Sequence, residues 1–260
     1  MNIPFVDLKN QYKTIKKEID DAIANVISDT AFIKGKYVES FEQEYANMYN
    51  IKHCISCANG TDAIYIALKA IGTKQGDEII TVSNTWISTS ETISQAGGTP
   101  IFVDSDEYHN IDVSLIESKI TKKTKAIIAV HLYGLPSMIK EISEICHKYN
   151  LKLIEDCAQA HFAKYNDKLI GTYGDIATFS FFPGKNLGAY GDAGAIITND
   201  DFYADFCRKY SNHGSLIKHK HVIEGINSRL DGLQAAILSV KLKYINDWTE
   251  NRIRNANYYN

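Results

Sequence analysis

The chain has 260 residues, of which 45% are hydrophobic and 23% charged, a balance typical of a globular protein that buries a sizeable core. Its net charge of −3 offers no basic excess for nucleic acid or an anionic membrane surface. No apolar run approaches the roughly 20 residues that span a bilayer. The first residues show no basic segment followed by an apolar one, so we expect no signal peptide and a cytoplasmic location.

Helix-like and strand-like patterns alternate after residue 50. Amphipathic segments precede this region at 11–28 and 38–50, and others follow it at 201–211 and 229–248. The predicted strands are 53–58, 78–82, 100–103, 126–131, 151–155, 176–182 and 193–198. The predicted helices between them are 61–71, 88–96, 113–119 and 137–149. Repeated strand–helix–strand spacing with short apolar strands predicts an α/β fold, in which a mostly parallel seven-stranded sheet lies between helices.

The five cysteines are an odd number in a chain too large to need disulfides. Cys54 and Cys57 form a C-x-x-C pair, but this pair lies inside a predicted strand and no second pair exists to complete a zinc site. The cysteines therefore predict no metal site and no redox site.

A single lysine, Lys185, follows the apolar strand 176–182 and the turn Pro183-Gly184. A lysine at the end of a buried strand loses part of its hydration and can act as an amine nucleophile. Another apolar strand, 151–155, ends at Asp156, whose carboxylate could pair with a protonated ring nitrogen. Together the two residues suggest a pyridoxal phosphate (PLP) site in which Lys185 forms the Schiff base, although a lone loop lysine is commonly just solvated.

The segment Ala58-Asn59-Gly60-Thr61-Asp62 joins a predicted strand to a predicted helix. Gly60 permits a tight turn, and Thr61 is a favourable helix N-cap. The free N–H groups of a helix start, together with a hydroxyl, can bind a phosphate, but an ordinary capped helix has the same pattern. Neither the Walker pattern nor a G-x-G-x-x-G sequence at a first helix is present.

Two further strand ends carry residues suited to a flat, polar ring. Trp86 follows the strand 78–82, where it could cover such a ring or belong to the core. Gln159 follows Asp156 and could bond a ring hydroxyl. Because ligands of this topology bind at the carboxyl ends of the strands, we expect these residues to meet in one site.

These motifs resemble the DegT/DnrJ/EryC1/StrS family of PLP-dependent nucleotide-sugar aminotransferases, which have the aspartate-aminotransferase fold. The resemblance runs from Pro4-Phe5-Val6-Asp7-Leu8 to Asn227-Ser228-Arg229-Leu230-Asp231. It rests most firmly on three segments: Ala58-Asn59-Gly60-Thr61-Asp62-Ala63, Glu155-Asp156-Cys157-Ala158-Gln159-Ala160-His161 and Ser180-Phe181-Phe182-Pro183-Gly184-Lys185-Asn186-Leu187-Gly188.

The resemblance implies a role for each matched residue. Gly60, Thr61 and Ser180 would bind the cofactor phosphate, and Trp86 would stack on the ring. Asp156 would pair with the ring nitrogen, Gln159 would contact the ring hydroxyl, and Lys185 would hold the cofactor. Asn227 would reach the phosphate in the neighbouring subunit, which implies a homodimer with shared sites. Residues 1–245 would form the large PLP domain, and 246–260 would begin a connection to a C-terminal domain that this chain lacks.

The segment 183–189, followed by Tyr190-Gly191-Asp192, most resembles the branch that aminates C-3 of 3-keto-6-deoxy sugars on dTDP, with glutamate as the amino donor. Asn186 and Leu187 would shape the approach of the sugar, and His161 and His213 are weaker candidates for sugar or phosphate contacts. UDP-sugar or C-4 amination stays an alternative. A PLP-dependent dehydratase is disfavoured, because dehydratases of this family carry histidine where this chain has Lys185. A non-catalytic sensor is a third possibility.

Overall fold

A computed structural model gives the structure of residues 6–260. Pro4 and Phe5, where the predicted family resemblance begins, lie outside the described residues. The strands are β1 (His53–Cys57), β2 (Glu78–Val82), β3 (Thr99–Val103), β4 (Thr124–Val130), β5 (Lys152–Asp156), β6 (Lys164–Tyr165), β7 (Lys168–Leu169), β8 (Ile176–Ser180) and β9 (Gly194–Thr198).

The α-helices are α1 (Leu8–Thr14), α2 (Lys16–Ser28), α3 (Lys36–Tyr49), α4 (Gly60–Ala70), α5 (Ser88–Gln95), α6 (Val113–Ile116), α7 (Ile139–Tyr149), α8 (Asp201–Tyr210), α9 (Gly232–Leu242) and α10 (Ile245–Tyr259). Short 3₁₀ turns cover Glu117–Lys119 and Leu132–Gly134. No helix within residues 6–260 is long and apolar enough to cross a membrane.

Seven strands form one sheet in the order β1-β9-β8-β5-β4-β2-β3, and β6 and β7 form a separate hairpin. The pairs β2–β3, β2–β4, β4–β5 and β5–β8 are parallel. Only β9 runs against its neighbours in this sheet, since it pairs antiparallel with both β8 and β1. The predicted fold class and mostly parallel sheet are confirmed.

Alternate residues along each central strand face opposite layers of helices, as the pleat requires. In β9, Ile196 packs into the core that contains α4, α5, α7 and α8. Its neighbours Ala195 and Ile197 pack into a second core with α3 and α9. Burial on both faces explains why the central strands are apolar almost without interruption.

The structure divides two segments that the sequence pattern predicted as single helices. Ile15 separates α1 from α2 with the non-helical dihedrals φ −124° and ψ 18°, and its side chain is buried among residues of α2 and α9. Lys243 and Tyr244 separate α9 from α10, where the hydroxyl of Tyr244 donates to Glu18 of α2. α10 begins at Ile245, next to the predicted domain boundary, which stays a prediction.

Candidate active site

A cavity of about 420 Å³ opens where the parallel strands of the sheet end. Loops after β1, β2, β4, β5 and β8 line it, and Asp192, just before the antiparallel β9, completes the wall. Seven of the eight predicted cofactor-binding residues line it: Gly60, Thr61, Trp86, Asp156, Gln159, Ser180 and Lys185. The convergence follows from topology, because the carboxyl ends of parallel strands share one edge of a sheet.

Lys185 and Asp156 are the charged pair of this cavity. Burial lowers the pKa of Lys185, and the charge of Asp156 partly opposes that shift. Burial likewise raises the pKa of Asp156, against the hydrogen bond that its carboxylate accepts from the Ala158 N–H at 3.1 Å. Within residues 6–260, Lys185 forms no ion pair shorter than 4 Å. Each residue thus carries a desolvated charge that a ligand of opposite polarity would stabilise.

The start of α4 forms a seat for an anion. Its N-cap is Asn59, whose side chain accepts the N–H of Asp62 at 2.8 Å, so the predicted capping role of Thr61 is wrong. This cap leaves the N–H groups of Gly60 and Thr61 at the open end of the helix, where a phosphate is favoured.

Gly60 is required by close packing rather than by its dihedral angles. A Cβ atom at this position would lie 2.6 Å from the Cβ of Ser180, a separation that side chains do not tolerate. The absence of a side chain therefore brings Ser180, at the end of β8, against the start of α4. Two strand ends contribute to one anion seat as a result.

Ser88 is a member of this seat that the sequence reasoning missed. Its hydroxyl lies 2.7 Å from the hydroxyl of Thr61, and both side chains line the cavity. The signal was available, because Ser88 comes two residues after Trp86 and begins α5. Asp192, before β9, also lines the cavity and was not singled out.

Gln159 is oriented by the backbone of the neighbouring strand end. Its Oε1 accepts the N–H of Tyr133 at 2.8 Å, and Tyr133 has a left-handed φ of 55°. With the oxygen occupied, the amide nitrogen is available to donate, as contact with a ring hydroxyl requires.

Trp86 lies at the mouth of the cavity with 71% of its surface exposed. The alternative that it is a core residue is therefore wrong. Phe182, on the Lys185 loop, is also exposed at this mouth. Exposed aromatic rings beside a polar cavity are placed to cover a flat ligand or to meet another protein surface.

Glu155 precedes Asp156 on β5 but has a different environment. Its carboxylate accepts the N–H groups of Gly171, Tyr173 and Gly174 at 2.7–2.8 Å, and it faces Nε2 of His131 at 3.2 Å. His131, Glu155 and Cys157 are close enough to bind a metal ion together. Because these protein donors already surround the carboxylate, we assign Glu155 to holding the loop after β7.

His161 and His213 do not line the Lys185 cavity. The ring nitrogens of His161 face the Tyr45 hydroxyl and the Ser180 carbonyl, each at 2.9 Å, and burial lowers its pKa to about 4. The candidate ligand contact of His161 is thus wrong, and the residue instead supports Ser180. His213 is exposed in the loop after α8, where its N–H donates to Ile226 at 2.8 Å.

The two residues after Lys185 also lie outside the cavity. Leu187 is fully buried in the core beneath the loop, and Asn186 lines a neighbouring surface cavity. Their predicted direct influence on the sugar's approach is therefore not seen in the chain as folded.

Asn227 is exposed and lines a separate surface cavity, with Asp192 as a residue common to both. The adjacent Ser228 is buried, where its hydroxyl accepts the Ala58 N–H at 3.1 Å and donates to Asp62 at 2.7 Å. The backbone carrying Asn227 is thereby fastened to the anion seat, while its own side chain lies outside the Lys185 cavity.

The donors present fit PLP group by group. The α4 amides and three hydroxyls suit a phosphate, and a buried carboxylate suits a protonated ring nitrogen. The Gln159 amide suits a ring hydroxyl, and an amine of lowered pKa suits an aldehyde.

Comparison with known proteins agrees with this fit. Residues 13–260 match the DegT/DnrJ/EryC1/StrS aminotransferase family. A pleiotropic regulatory protein of Geobacillus stearothermophilus is 49% identical over all of this chain and 70% of its own length. The dTDP-3-amino-3,6-dideoxy-alpha-D-galactopyranose transaminase of Aneurinibacillus thermoaerophilus is 48% identical over 99% of this chain and 71% of its own length. The UDP-2-acetamido-2-deoxy-3-oxo-D-glucuronate aminotransferase of Pseudomonas aeruginosa is 46% identical over 93% of this chain and 67% of its own length.

Solved structures show the same likeness. DesV of S. venezuelae, in complex with a ketimine intermediate, superposes with a TM-score of 0.97 at 40% identity, covering 99% of this chain and 70% of DesV. NtdA from Bacillus subtilis, with bound cofactor PMP, gives a TM-score of 0.89 at 37% identity over 94% of this chain and 56% of its own. The chain belongs to the DegT/DnrJ/EryC1/StrS aminotransferase family and is a PLP-dependent aminotransferase.

Proposed function

We propose that this protein transfers an amino group from an amino acid, glutamate by resemblance, to C-3 of a nucleotide-linked 3-keto-6-deoxy sugar, with dTDP favoured. The observation that carries the proposal is that Lys185 and Asp156 line one cavity beside an anion seat. The transaminases among the relatives, which are named for amino sugars or keto-sugars on dTDP or UDP, support the acceptor class.

When bound, PLP supplies an electron sink for the carbanion formed at the donor's α-carbon. Lys185 has the first role. Its lowered pKa increases the neutral fraction of the amine at a given pH, as bonding to an aldehyde carbon requires. With the cofactor bound, the free amine of Lys185 would act as general base and acid for the proton at the reacting carbon.

Asp156 has the second role, which is to keep the ring nitrogen protonated. A buried carboxylate that accepts one backbone hydrogen bond, at 3.1 Å, favours a cationic neighbour strongly, because water screens the attraction little. Ser180, Thr61 and the α4 amides hold the phosphate, and Gln159 orients the ring.

We expect Lys185 to carry the cofactor. Borohydride reduction of the PLP-loaded protein, followed by peptide mass mapping, should place the pyridoxyl group on Lys185. Lys241, a second lysine of lowered pKa, is the internal comparison, because it is buried beneath the loop and does not line the cavity. A label on Lys241 or on any third lysine would sink the assignment.

We expect Asp156→Asn to lower turnover on the order of 100-fold, because the ring nitrogen loses its anionic partner. The cofactor-free fold should keep or gain thermal stability. Folding raises the pKa of Asp156, so stability falls as pH rises through the interval above the ordinary pKa, and at neutral pH the ionised carboxylate is destabilising.

Glu155→Gln, on the same strand, is the matched comparison. It should lower the free energy of unfolding by about 3 kcal/mol, since an NH2 donor replaces one of the two oxygens that accept these three N–H groups and then faces at least one of them. Circular dichroism melts and a transamination assay would separate the two. An Asp156→Asn protein with unchanged turnover contradicts the proposed electronic role.

We further propose a homodimer with shared sites. Asn227 is exposed beside the anion seat but does not line the Lys185 cavity of its own chain, and the aromatic rings at the cavity mouth are exposed. A second copy that covers this mouth would bring its own Asn227 toward the phosphate, in accord with the family resemblance.

Subunit mixing tests this proposal. Lys185→Ala and Asn227→Ala should each be weakly active alone, and their mixture should recover activity, because one mixed site keeps both residues and the other has neither. Subunit exchange is checked by native mass spectrometry with one variant isotopically labelled. Exchange without recovery would mean that each site is built within one chain.

The position of the keto group is the finest part of the proposal. With Asn186 and Leu187 outside the cavity, support for C-3 comes from the relatives whose names specify position 3 and from the resemblance of segment 183–189. Offered a 3-keto and a 4-keto 6-deoxy sugar on the same nucleotide, the enzyme should turn over the 3-keto compound at least about tenfold faster. Preference for the 4-keto sugar would refute C-3 and leave the aminotransferase assignment intact, whereas turnover of neither sugar would point to a different nucleotide, with UDP as the alternative.

A further inference from the structure

Lys241 on α9 is a buried lysine that the proposed chemistry does not use. Only 1% of its surface is exposed, and no carboxylate of residues 6–260 forms an ion pair with it at 4 Å or less. Its ammonium donates to the carbonyl of Gly188 and lies 4.8 Å from the centre of the Tyr190 ring. Burial lowers its pKa to about 8.

Both partners of Lys241 belong to the segment that follows Lys185, which we call the strap and define as residues 186–190. The strap folds back against the end of β8, because the Ala189 N–H donates to the carbonyl of Phe181 at 2.7 Å. Gly188 is pressed against the turn before Lys185, where a Cβ atom would lie 2.3 Å from the carbonyl oxygen of Pro183. The position of the strap therefore sets the position of the turn that carries Lys185.

A second residue of α9 holds the same strap. The N–H of Tyr190 donates to Oε1 of Gln234 at 2.8 Å. Gln234 and Lys241 are seven residues apart, so they lie on one face of the helix. One face thus offers an acceptor and a donor to two strap residues that lie two positions apart.

Burying a cation without an anionic partner costs desolvation free energy, whereas a methionine of similar length would fill the same space without that penalty. What the amine provides, and a methionine could not, is a hydrogen bond to the carbonyl of Gly188. We propose that Lys241 and Gln234 are positioning residues that fix the strap and thereby hold Lys185 at the cavity. This inference rests on the proposed cofactor role of Lys185.

The test uses Lys241→Met in the full chain, with Lys243→Met as the matched control. Lys243 directly follows the same helix, but its side chain is 64% exposed and pairs only with Glu18 at 3.3 Å. In the cofactor-free protein, hydrogen exchange at Ala189 and Tyr190 should be about tenfold faster in Lys241→Met, the factor that one charge-assisted hydrogen bond implies. The rate of PLP attachment to Lys185 should fall by a similar factor, while the melting temperature stays within a few degrees.

Lys243→Met should change neither rate. Gln234→Leu, which removes no buried charge, provides a second variant if Lys241→Met does not fold, and it should also speed exchange at Tyr190 and slow attachment. Unchanged exchange and attachment in the folded variants would overturn the inference. The exchange measurement needs no cofactor, so a label found on a different lysine of the wild type would refute the role of Lys185 without affecting the result for the strap.

Discussion

The site depends on placing a lysine and an aspartate in one cavity, where the charged form of each is poorly hydrated. Burial pushes Lys185 toward its neutral amine and Asp156 toward its neutral acid, so each resists the charge that would attract the other. The fold maintains this state because Asp156 ends β5 and Lys185 lies in the loop after β8, and these two strands pair in parallel. A ligand with a cationic ring nitrogen and an electrophilic carbon would stabilise both residues at once, because the nitrogen pairs with the Asp156 carboxylate and the carbon bonds to the neutral amine of Lys185. The cavity therefore favours a ligand of this kind.

Neighbours on β5 show how a sheet assigns different work to adjacent residues. Glu155 and Asp156 are both buried carboxylates, but successive side chains of a strand point to opposite faces. Glu155 meets three backbone N–H groups of one loop, whereas Asp156 faces the cavity. One carboxylate therefore stabilises the wall of the site, and the other is left available for chemistry.

Sequence periodicity predicted every strand of the large sheet to within two residues at each end, because apolar runs bounded by glycine and turn residues are local signals. The same periodicity could not reveal that β9 runs antiparallel, because the direction of a strand depends on which other strands it pairs with. The breaks at Ile15 and at Lys243–Tyr244 were missed for the same kind of reason: contacts between α2 and the α9–α10 region set them, and those contacts join residues more than 200 positions apart.

The residues that line the cavity were predictable where a motif identified them, as with Lys185 and Gly60. Ser88 and the supporting role of His161 were not, because each acts through a partner on another element. In the sequence, His161 follows Asp156 by five residues, which suggested a ligand contact. Only the structure shows that the two ring nitrogens of His161 already bond to Tyr45 and Ser180.

The reversed direction of β9 has a consequence for the lysine loop. Because β8 ends and β9 begins at the same edge of the sheet, the connection between them leaves from the cavity and returns to it, bringing Asp192 back to the wall that Lys185 lines. A crossover to a parallel strand would instead carry the chain away along a helix to the opposite edge. The lysine thus lies on a short closed loop with both ends clamped by one ladder of hydrogen bonds, and such a loop surrenders little conformational entropy when its amine becomes covalently engaged.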